Sequence, residues 1–534
     1  MKLNNSNIKK KIIMAKKNTE KSKAIEETLW QSCDKLRGSV DPAEYKHVVL
    51  GLIFLKFASD KFEERKAEII AEGKEKYVEM KDFYNMKNVF FLEEISRWSY
   101  ISKNAKQDDL ALKIDTALHT IEKNNPALKG ALPDNYFSRL GLDKTKLASL
   151  VDKINEINTL EDKEHDIIGR VYEYFLRKFA IKEGKGKGEF YTPKTIVNLM
   201  AELIEPYNGI IYDPACGSGG MFVQSIKFIE NHQGNKKEVS IYGQESSPTT
   251  YKLAKMNLAI RGISANLGLK HADTFHDDQH KDLKADYIMA NPPFNQKDWR
   301  GENELKDDPR WKGYDVPPKS NANYGWILNM VSKLSDTGVA GFILANGALS
   351  GGGEEYKIRK ALIKNNLIEA IIIIPRNTFY TTDISVTLWI INKNKKERTI
   401  QINDRQKNYR NREKEVLFMD LRRWGSEYEK QFVELTTTDI EKIAENYHNW
   451  QQKDWKTTYK DVPEFCKSVH FDKLKENNYS LVPSKYIDFV DVDGNIDFDS
   501  EMKRIQNDFK VLLKDEKDSQ AQLVNAFKTL GYEL

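Results

Sequence analysis

Residues Ile210–Gly220 read I-I-Y-D-P-A-C-G-S-G-G: three apolar or aromatic positions, an acid, a proline, then three glycines within four residues. The apolar triplet followed by Asp213 predicts a short buried strand ending in an acid. The glycines predict a turn whose backbone reaches positive φ and leaves room for a ligand. Behind the turn, Met221–Glu230 has helical spacing. The strand-then-acid form recurs at Val239–Glu245, followed by a helix over Thr249–Ile260. Further strands are predicted at Asp286–Ala290, Val339–Ala345, Ile368–Ile374 and Val386–Lys393, with Lys194–Leu203 as a helix ahead of the first. Strands alternating with helices predict an α/β fold built on a parallel sheet covered on both faces, with ligands at the carboxyl ends of its strands. The series looks complete by Lys393, and Asn394–Lys414, charged and rich in Asn, reads as a long connection or excursion.

Outward from this region the chain changes character. Residues 1–25 form a flexible basic leader dominated by Lys, Asn and Ser. Residues 26–162 have helical periodicity, clearest in His47–Phe62, with Ser39-Val40-Asp41-Pro42 as a helix start. Residues 163–490 hold the alternating pattern, and 491–534 are a helical tail. In the tail Ile505, Phe509, Leu512, Leu513, Leu523, Val524 and Phe527 form an apolar side, interrupted by the charged stretch Lys514–Asp518.

The 534 residues suggest about three structural units at roughly 150 residues each. With 24 Phe, 24 Tyr and 9 Trp a core is easily supplied, which excludes wholesale disorder. Eighty-four basic against 80 acidic residues leave a net charge of +4, which permits a nucleic-acid partner without arguing for one. Three scattered cysteines give neither a disulfide framework nor a thiolate zinc site. No apolar run approaches the ~18 residues of a membrane helix, and no signal peptide is visible, so a cytoplasmic protein without membrane contact is expected.

The glycine turn invites a nucleotide-type ligand. A dinucleotide loop would read G-x-G-x-x-G and receive a pyrophosphate. Here Asp213 stands before the loop and position 222 is Phe. The acid repels a pyrophosphate and suits S-adenosylmethionine, which carries a sulfonium and an ammonium. Glu245, at the next strand end, suits the two hydroxyls of a ribose. Asp273, in His271-Ala-Asp-Thr-Phe275, is placed to meet the adenine amino group of that cofactor.

The sharpest signal is Asn291-Pro292-Pro293-Phe294, directly after a strand. An amine conjugated to an aromatic ring is a poor nucleophile because its lone pair is delocalised. Acceptors on its two hydrogens, the Asn291 side-chain oxygen and the Pro292 carbonyl, draw the nitrogen toward tetrahedral geometry and free that pair for in-line attack on a methyl group. Pro292 and Pro293 stiffen the turn, and Phe294 offers a face for stacking on a base. Lys297, Arg300 and Lys306 are candidate phosphate contacts. Arg376, Phe379 and Tyr380 belong to the rim of the site or to the core. His276 and His280 with Asp277 and Asp278 read as a polar loop, and no metal site is expected.

An N-P-P-F tetrapeptide downstream of D-P-A-C-G-S-G-G resembles the DNA adenine-N6 methyltransferases. Gly188-Glu189-Phe190-Tyr191-Thr192-Pro193, ahead of the glycine loop, resembles the cofactor-binding segment of their gamma-ordered class. Adding the helical region, Asn321–Trp326 and Asn478–Pro483, the chain resembles the modification subunit of type I restriction-modification systems over about residues 26–490. The resemblance implies a Rossmann-like S-adenosylmethionine-dependent methyltransferase sheet with an N-terminal helical domain and a C-terminal helical tail for subunit assembly. It implies that Gly188, Glu189, Phe190, Tyr191, Thr192, Pro193, Asp213, Ser218, Gly219, Gly220 and Glu245 line the cofactor site. Asn291–Phe294 would hold an adenine flipped out of double-stranded DNA. The implied partners are a specificity subunit shared by two modification subunits, and a restriction subunit. Methylation of ribosomal RNA or of a glutamine side chain, and a DNA-clamping scaffold without chemistry, stay open at this point.

Overall fold

The computed structural model describes Glu27, Trp30 and residues 42–156, 167–183, 191–380, 383–402, 405–428, 431–490, 497–529 and 531–532. The basic leader and the expected cofactor residues Gly188, Glu189 and Phe190 lie outside the described residues.

The first described region is helical. Its long helix is described over Pro42–Ala71, and Ser39, Val40 and Asp41 of the expected helix start lie outside the described residues. Helices Leu110–Asn124, Lys144–Asn155 and Ile167–Glu183 pack around it on a core that includes Phe54, Phe62, Tyr84, Trp98 and Phe137. Leu253, Met256 and Ile260 of the helix Pro248–Ile260 join that same core. One helix therefore ties the helical region to the sheet.

The strands are β1 Gly209–Asp213, β2 Val239–Gly243, β3 Ala265–Asn266, β4 Ala285–Ala290, β5 Leu334–Ala345, β6 Ile368–Ile373, β7 Val386–Asn392, β8 Arg398–Ile402, β9 Arg405–Tyr409, β10 Glu415–Asp420, β11 Ser426–Tyr428, β12 Phe432–Glu434 and β13 Cys466–His470. Nine form one sheet in the order β13-β10-β6-β7-β5-β4-β1-β2-β3. From β1 the chain steps outward to β2 and β3, then returns to lay β4 on the other side of β1. That reversal is a topological switch point, and in open α/β sheets ligands bind at the carboxyl ends of the strands flanking it. Those ends are Asp213 and Ala290, held side by side by the pairings Ile211↔Tyr287 and Tyr212↔Ile288.

The sheet departs from the sequence reading in three ways. It is not wholly parallel: β7 runs antiparallel between β5 and β6. The link from β6, residues 374–385, carries no helix among its described residues and turns the chain back beside β6, where a parallel return would need a crossover. Nor is it complete by Lys393, since β10 adds to β6 in parallel and β13 adds to β10 in antiparallel. The stretch Val416–Met419 is a buried apolar strand whose charged flanks hide it in the sequence. One charged residue ahead of it, Arg412, is itself inside. Arg412 and Glu369, both fully buried, are 2.9 Å apart, Gln451 donates to the same carboxylate oxygen, and the Lys395 ammonium donates to the Ile368 carbonyl at 2.8 Å. Finally, the excursion expected over Asn394–Lys414 contains the ordered hairpin β8–β9.

The tail is a single helix, Phe498–Thr529, which continues through the charged stretch Lys514–Asp518. None of its residues is buried. No helix among the described residues is long and apolar enough to cross a membrane.

Candidate active site

β1 ends at Asp213, whose side chain is 1 % exposed and accepts the Ala215 N–H at 2.9 Å. Burial pushes its carboxyl up to about 8, against the pull of that N–H, and the neighbouring Glu245 charge adds to the rise. No cation forms an ion pair with Asp213 among the described residues. The glycine loop is folded back on the next strand end: Cys216 N–H donates to the Gln244 carbonyl, and Gly217 N–H donates to Glu245 Oε2 at 3.0 Å. Glu245 Oε1 accepts the Ser247 N–H at 2.8 Å. Ser218 is held from behind, its carbonyl accepting from Asn257 Nδ2 at 2.7 Å.

The glycines divide the work. Gly219, at φ 79°, abuts Leu258, where a side chain would come within 3.3 Å. Above Gly217 and Gly220 a side chain would meet nothing within 4 Å. That open shelf and the two strand-end acids fit a cationic cofactor and disfavour a pyrophosphate.

Asp273 lies beside this shelf, because the preceding Ala272 N–H donates to the Glu245 carbonyl at 2.9 Å. One oxygen of its carboxylate accepts from Phe275 N–H, His276 N–H and His276 Nδ1. Partial burial opposes the charge on His276, yet Asp273 and Glu304 on its two ring nitrogens hold its pKa above the usual histidine range. His280 instead bonds the buried Gly243 carbonyl at 2.8 Å. Among the described residues no cluster of His, Cys, Asp and Glu could hold a metal.

On the β4 side, Asn291 follows the strand immediately and is 7 % exposed. Its Nδ2 donates to Thr192 Oγ1 at 3.0 Å, while its Oδ1 is buried without a hydrogen-bond partner. The bond to Thr192 fixes which way the amide faces, and leaves a buried acceptor that nothing satisfies. Leaving such a group unpaired costs about 1–3 kcal/mol, which a ligand donor would recover. Thr192, expected on the cofactor side, thus serves as the orienting partner of Asn291.

Aromatic rings surround this point. Half-buried Phe294 meets Phe379 edge-on, with centroids 6.2 Å apart. Tyr191 stacks on Tyr380 at 6.0 Å, and Tyr380 meets Phe432 of the hairpin β11–β12 at 4.9 Å. Phe379 and Tyr380, ambiguous in sequence, stand within this cluster. The part played by β11–β12 had no sequence signal, because its anchor is a backbone bond from Val433 N–H to the Asn377 carbonyl.

The loop after the tetrapeptide is not an open basic strap. Arg300 donates from its guanidinium to the carbonyls of Gly301, Glu302, Glu304 and Pro317. Trp299 and Trp311 are buried and donate to the Pro318 and Leu305 carbonyls. Arg310 donates to the Thr274 and Phe275 carbonyls, lacing the loop to the Asp273 turn.

Against known families, residues 163–494 match the N-6 DNA Methylase model and residues 25–154 match the HsdM N-terminal domain. The chain belongs to the N-6 DNA methylase family. The type I restriction enzyme MjaIX methylase subunit of Methanocaldococcus jannaschii is 36 % identical over 530 residues, 95 % of this chain and 92 % of that one. The HindI methylase subunit of Haemophilus influenzae is 40 % identical over 439 residues, covering 80 % and 94 %. The crystal structure of a type I methyltransferase subunit from Streptococcus thermophilus superposes with a TM-score of 0.70 at 24 % identity, over 88 % of this chain and all of that one, which shows a shared fold. This methylase is thus a DNA adenine-N6 methyltransferase of the type I restriction enzyme kind, a family that uses S-adenosylmethionine.

Proposed function

We propose that this subunit binds S-adenosylmethionine on the shelf above Gly217 and Gly220 and presents it to an adenine held by Asn291–Phe294. The observation that carries the reading is the buried, unpaired Asn291 Oδ1, which follows the strand end adjoining that of the shelf. The cofactor supplies an electrophilic methyl group on its sulfonium. Asp213 meets its ammonium, Glu245 its ribose, Asp273 its adenine, and the backbone of Ser218–Gly220 with the segment Gly188–Pro193 closes around it.

Asn291 Oδ1 and the Pro292 carbonyl each accept one hydrogen of adenine N6. Both are preorganised, Asn291 by Thr192 and Pro292 by Pro293, so little reorganisation accompanies the transition state. Phe294 stacks on the base, and Phe379 and Tyr380 wall the pocket. Because N6 is inside the duplex, the base is flipped out at a cost of a few kcal/mol, which stacking offsets.

Sequence specificity comes from a separate subunit. The tail helix leaves Phe498, Met502, Ile505, Phe509 and Leu512 between 47 % and 72 % exposed, a stripe suited to helices of another chain. We assign residues 491–534 to assembly, with two such subunits on one specificity subunit, a restriction subunit as a further partner, and the whole acting on double-stranded DNA in the cytoplasm. Truncation after Asp491 is expected to leave cofactor binding intact and abolish site-specific methylation. The broader test is transfer of labelled methyl groups to duplex DNA, with and without the specificity subunit, followed by nucleoside analysis. N6-methyldeoxyadenosine formed at one sequence only in the complex supports the reading; label on another base, or none with both subunits present, refutes it.

A further inference from the structure

Away from the methyl-transfer site, a second cleft of about 340 Å³ opens on the carboxyl edge of the sheet. Its floor is Arg359, 2 % exposed, which donates from Nε to the Tyr479 carbonyl at 2.9 Å and from Nη1 to the Gly351 carbonyl and the Tyr324 hydroxyl. Nη2 has no hydrogen-bond partner, and no carboxylate lies within ion-pair distance of this guanidinium among the described residues. A buried cation held only by neutral groups is unusual, since buried charges are normally paired.

The rest of the cleft has the same polarity. One wall is Gly351-Gly352-Gly353, opening the twelve-residue helix Gly353–Lys364. The N-cap Gly352 offers no side-chain cap, and a side chain on Gly352 or Gly353 would meet nothing within 4 Å. The first turn thus carries no side-chain cap, and the positive end of the helix stands at this wall. The other wall is the segment Asn478–Pro483, which the sequence singles out and the methyl-transfer site does not use. Leu481 N–H pins it to the Leu349 carbonyl, and Asn478 and Tyr479 are both held at positive φ, 54° and 52°. Lys485 stands at the rim. Of the first-turn acids Glu354 is exposed, while the Glu355 carboxylate lies against Gly351 and feels the Arg359 charge without forming an ion pair with it.

The position relates this cleft to the DNA. β5 lies beside β4 with Ala290 opposite Phe342, so the turn after β5 shares an edge with Asn291. Arg359 touches Tyr324, and the adjacent Asn323 accepts the N–H of Asn295, next to Phe294. We infer that the Arg359 cleft is a binding site for a backbone phosphate of the substrate DNA, set beside the pocket for the flipped base.

Phosphate contacts are sequence-independent and salt-dependent, so the test needs no specificity subunit. A fluorescent duplex of arbitrary sequence is titrated with the full chain at several salt concentrations, for the native protein, Gly352→Asp and Lys485→Gln. Gly352 has ordinary negative φ and open space, so Gly352→Asp places a carboxylate in the cleft without straining the backbone. Expected are about tenfold weaker binding in Gly352→Asp, a smaller loss in Lys485→Gln, and a salt slope lower by about one in each. Equal affinity and slope in a folded Gly352→Asp, or no salt-dependent binding by the native chain, overturns the proposal. A rise in melting temperature with inorganic phosphate that Gly352→Asp abolishes, with duplex binding unchanged, assigns the cleft to a free anion and also overturns it. A cofactor titration on the same samples reports separately on the methyltransferase reading: its failure in the native chain would sink that reading and leave the phosphate result standing.

Discussion

On the β1–β2 side of the methyl-transfer site, the Glu245 carboxylate, the glycine loop and the Asp273 turn satisfy one another through Gly217, Ser247, Ala272 and His276. On the β4 side, Asn291 makes one bond through its nitrogen and leaves its oxygen buried and unpaired. The first half is a shelf whose shape exists before any ligand arrives. The second is an acceptor held in readiness, its bond supplied only by the substrate. The contrast separates binding from chemistry, and variants on each side should fail differently.

The largest effect is expected from Asn291→Ala. Methyl transfer should fall by about 10²-fold or more, the scale for losing a preorganised polar group, while cofactor affinity measured by calorimetry stays within about twofold. Next is Gly220→Asp, which fills the shelf from a position with open space and ordinary φ. Cofactor affinity should drop by at least about tenfold with the melting temperature little changed, since a first-turn acid suits the helix dipole. A variant that loses both functions together, on either side, would break the comparison.

The smallest effect concerns Asp213. Its carboxyl is raised to about 8 in the fold, against 3.8 ordinarily, so between those values the folded state holds a proton that the unfolded state has released. Stability of the ligand-free protein therefore falls as pH rises from about 4 to about 8 and then levels off. Asp213→Asn removes this dependence. Its melting temperature should exceed the native one by a margin that widens by at least about 2 °C between pH 5 and pH 8.5. Cofactor affinity, which needs the carboxylate to face an ammonium, should rise with pH up to about 8 in the native chain and be weak and flat in the variant.

Much of this site was legible because strand, acid and glycine sit in one short stretch, and because N-P-P-F follows a strand without interruption. Local order of that kind survives in sequence. What was hidden depends on partners far along the chain. Val416–Met419 reads poorly as a strand because its neighbours are charged, yet Arg412 is buried against Glu369, 43 residues away in sequence. The bond from Asn291 to Thr192 had no local signal either, since the two are 99 residues apart in sequence. The parallel reading of β7 failed for a related reason: strand direction is set by the link before it, which periodicity does not encode.

The account turns on the Asn291 oxygen, and the most direct measurement compares Asn291→Ala with Asn291→Asp in single-turnover methyl transfer to adenine. Aspartate keeps an acceptor oxygen where alanine has none, and Thr192 can turn its hydroxyl to donate to it. The prediction is at least about tenfold faster transfer by Asn291→Asp than by Asn291→Ala, at equal cofactor affinity. Equal rates for the two variants would show that the oxygen is not what engages the amine, and would contradict the account.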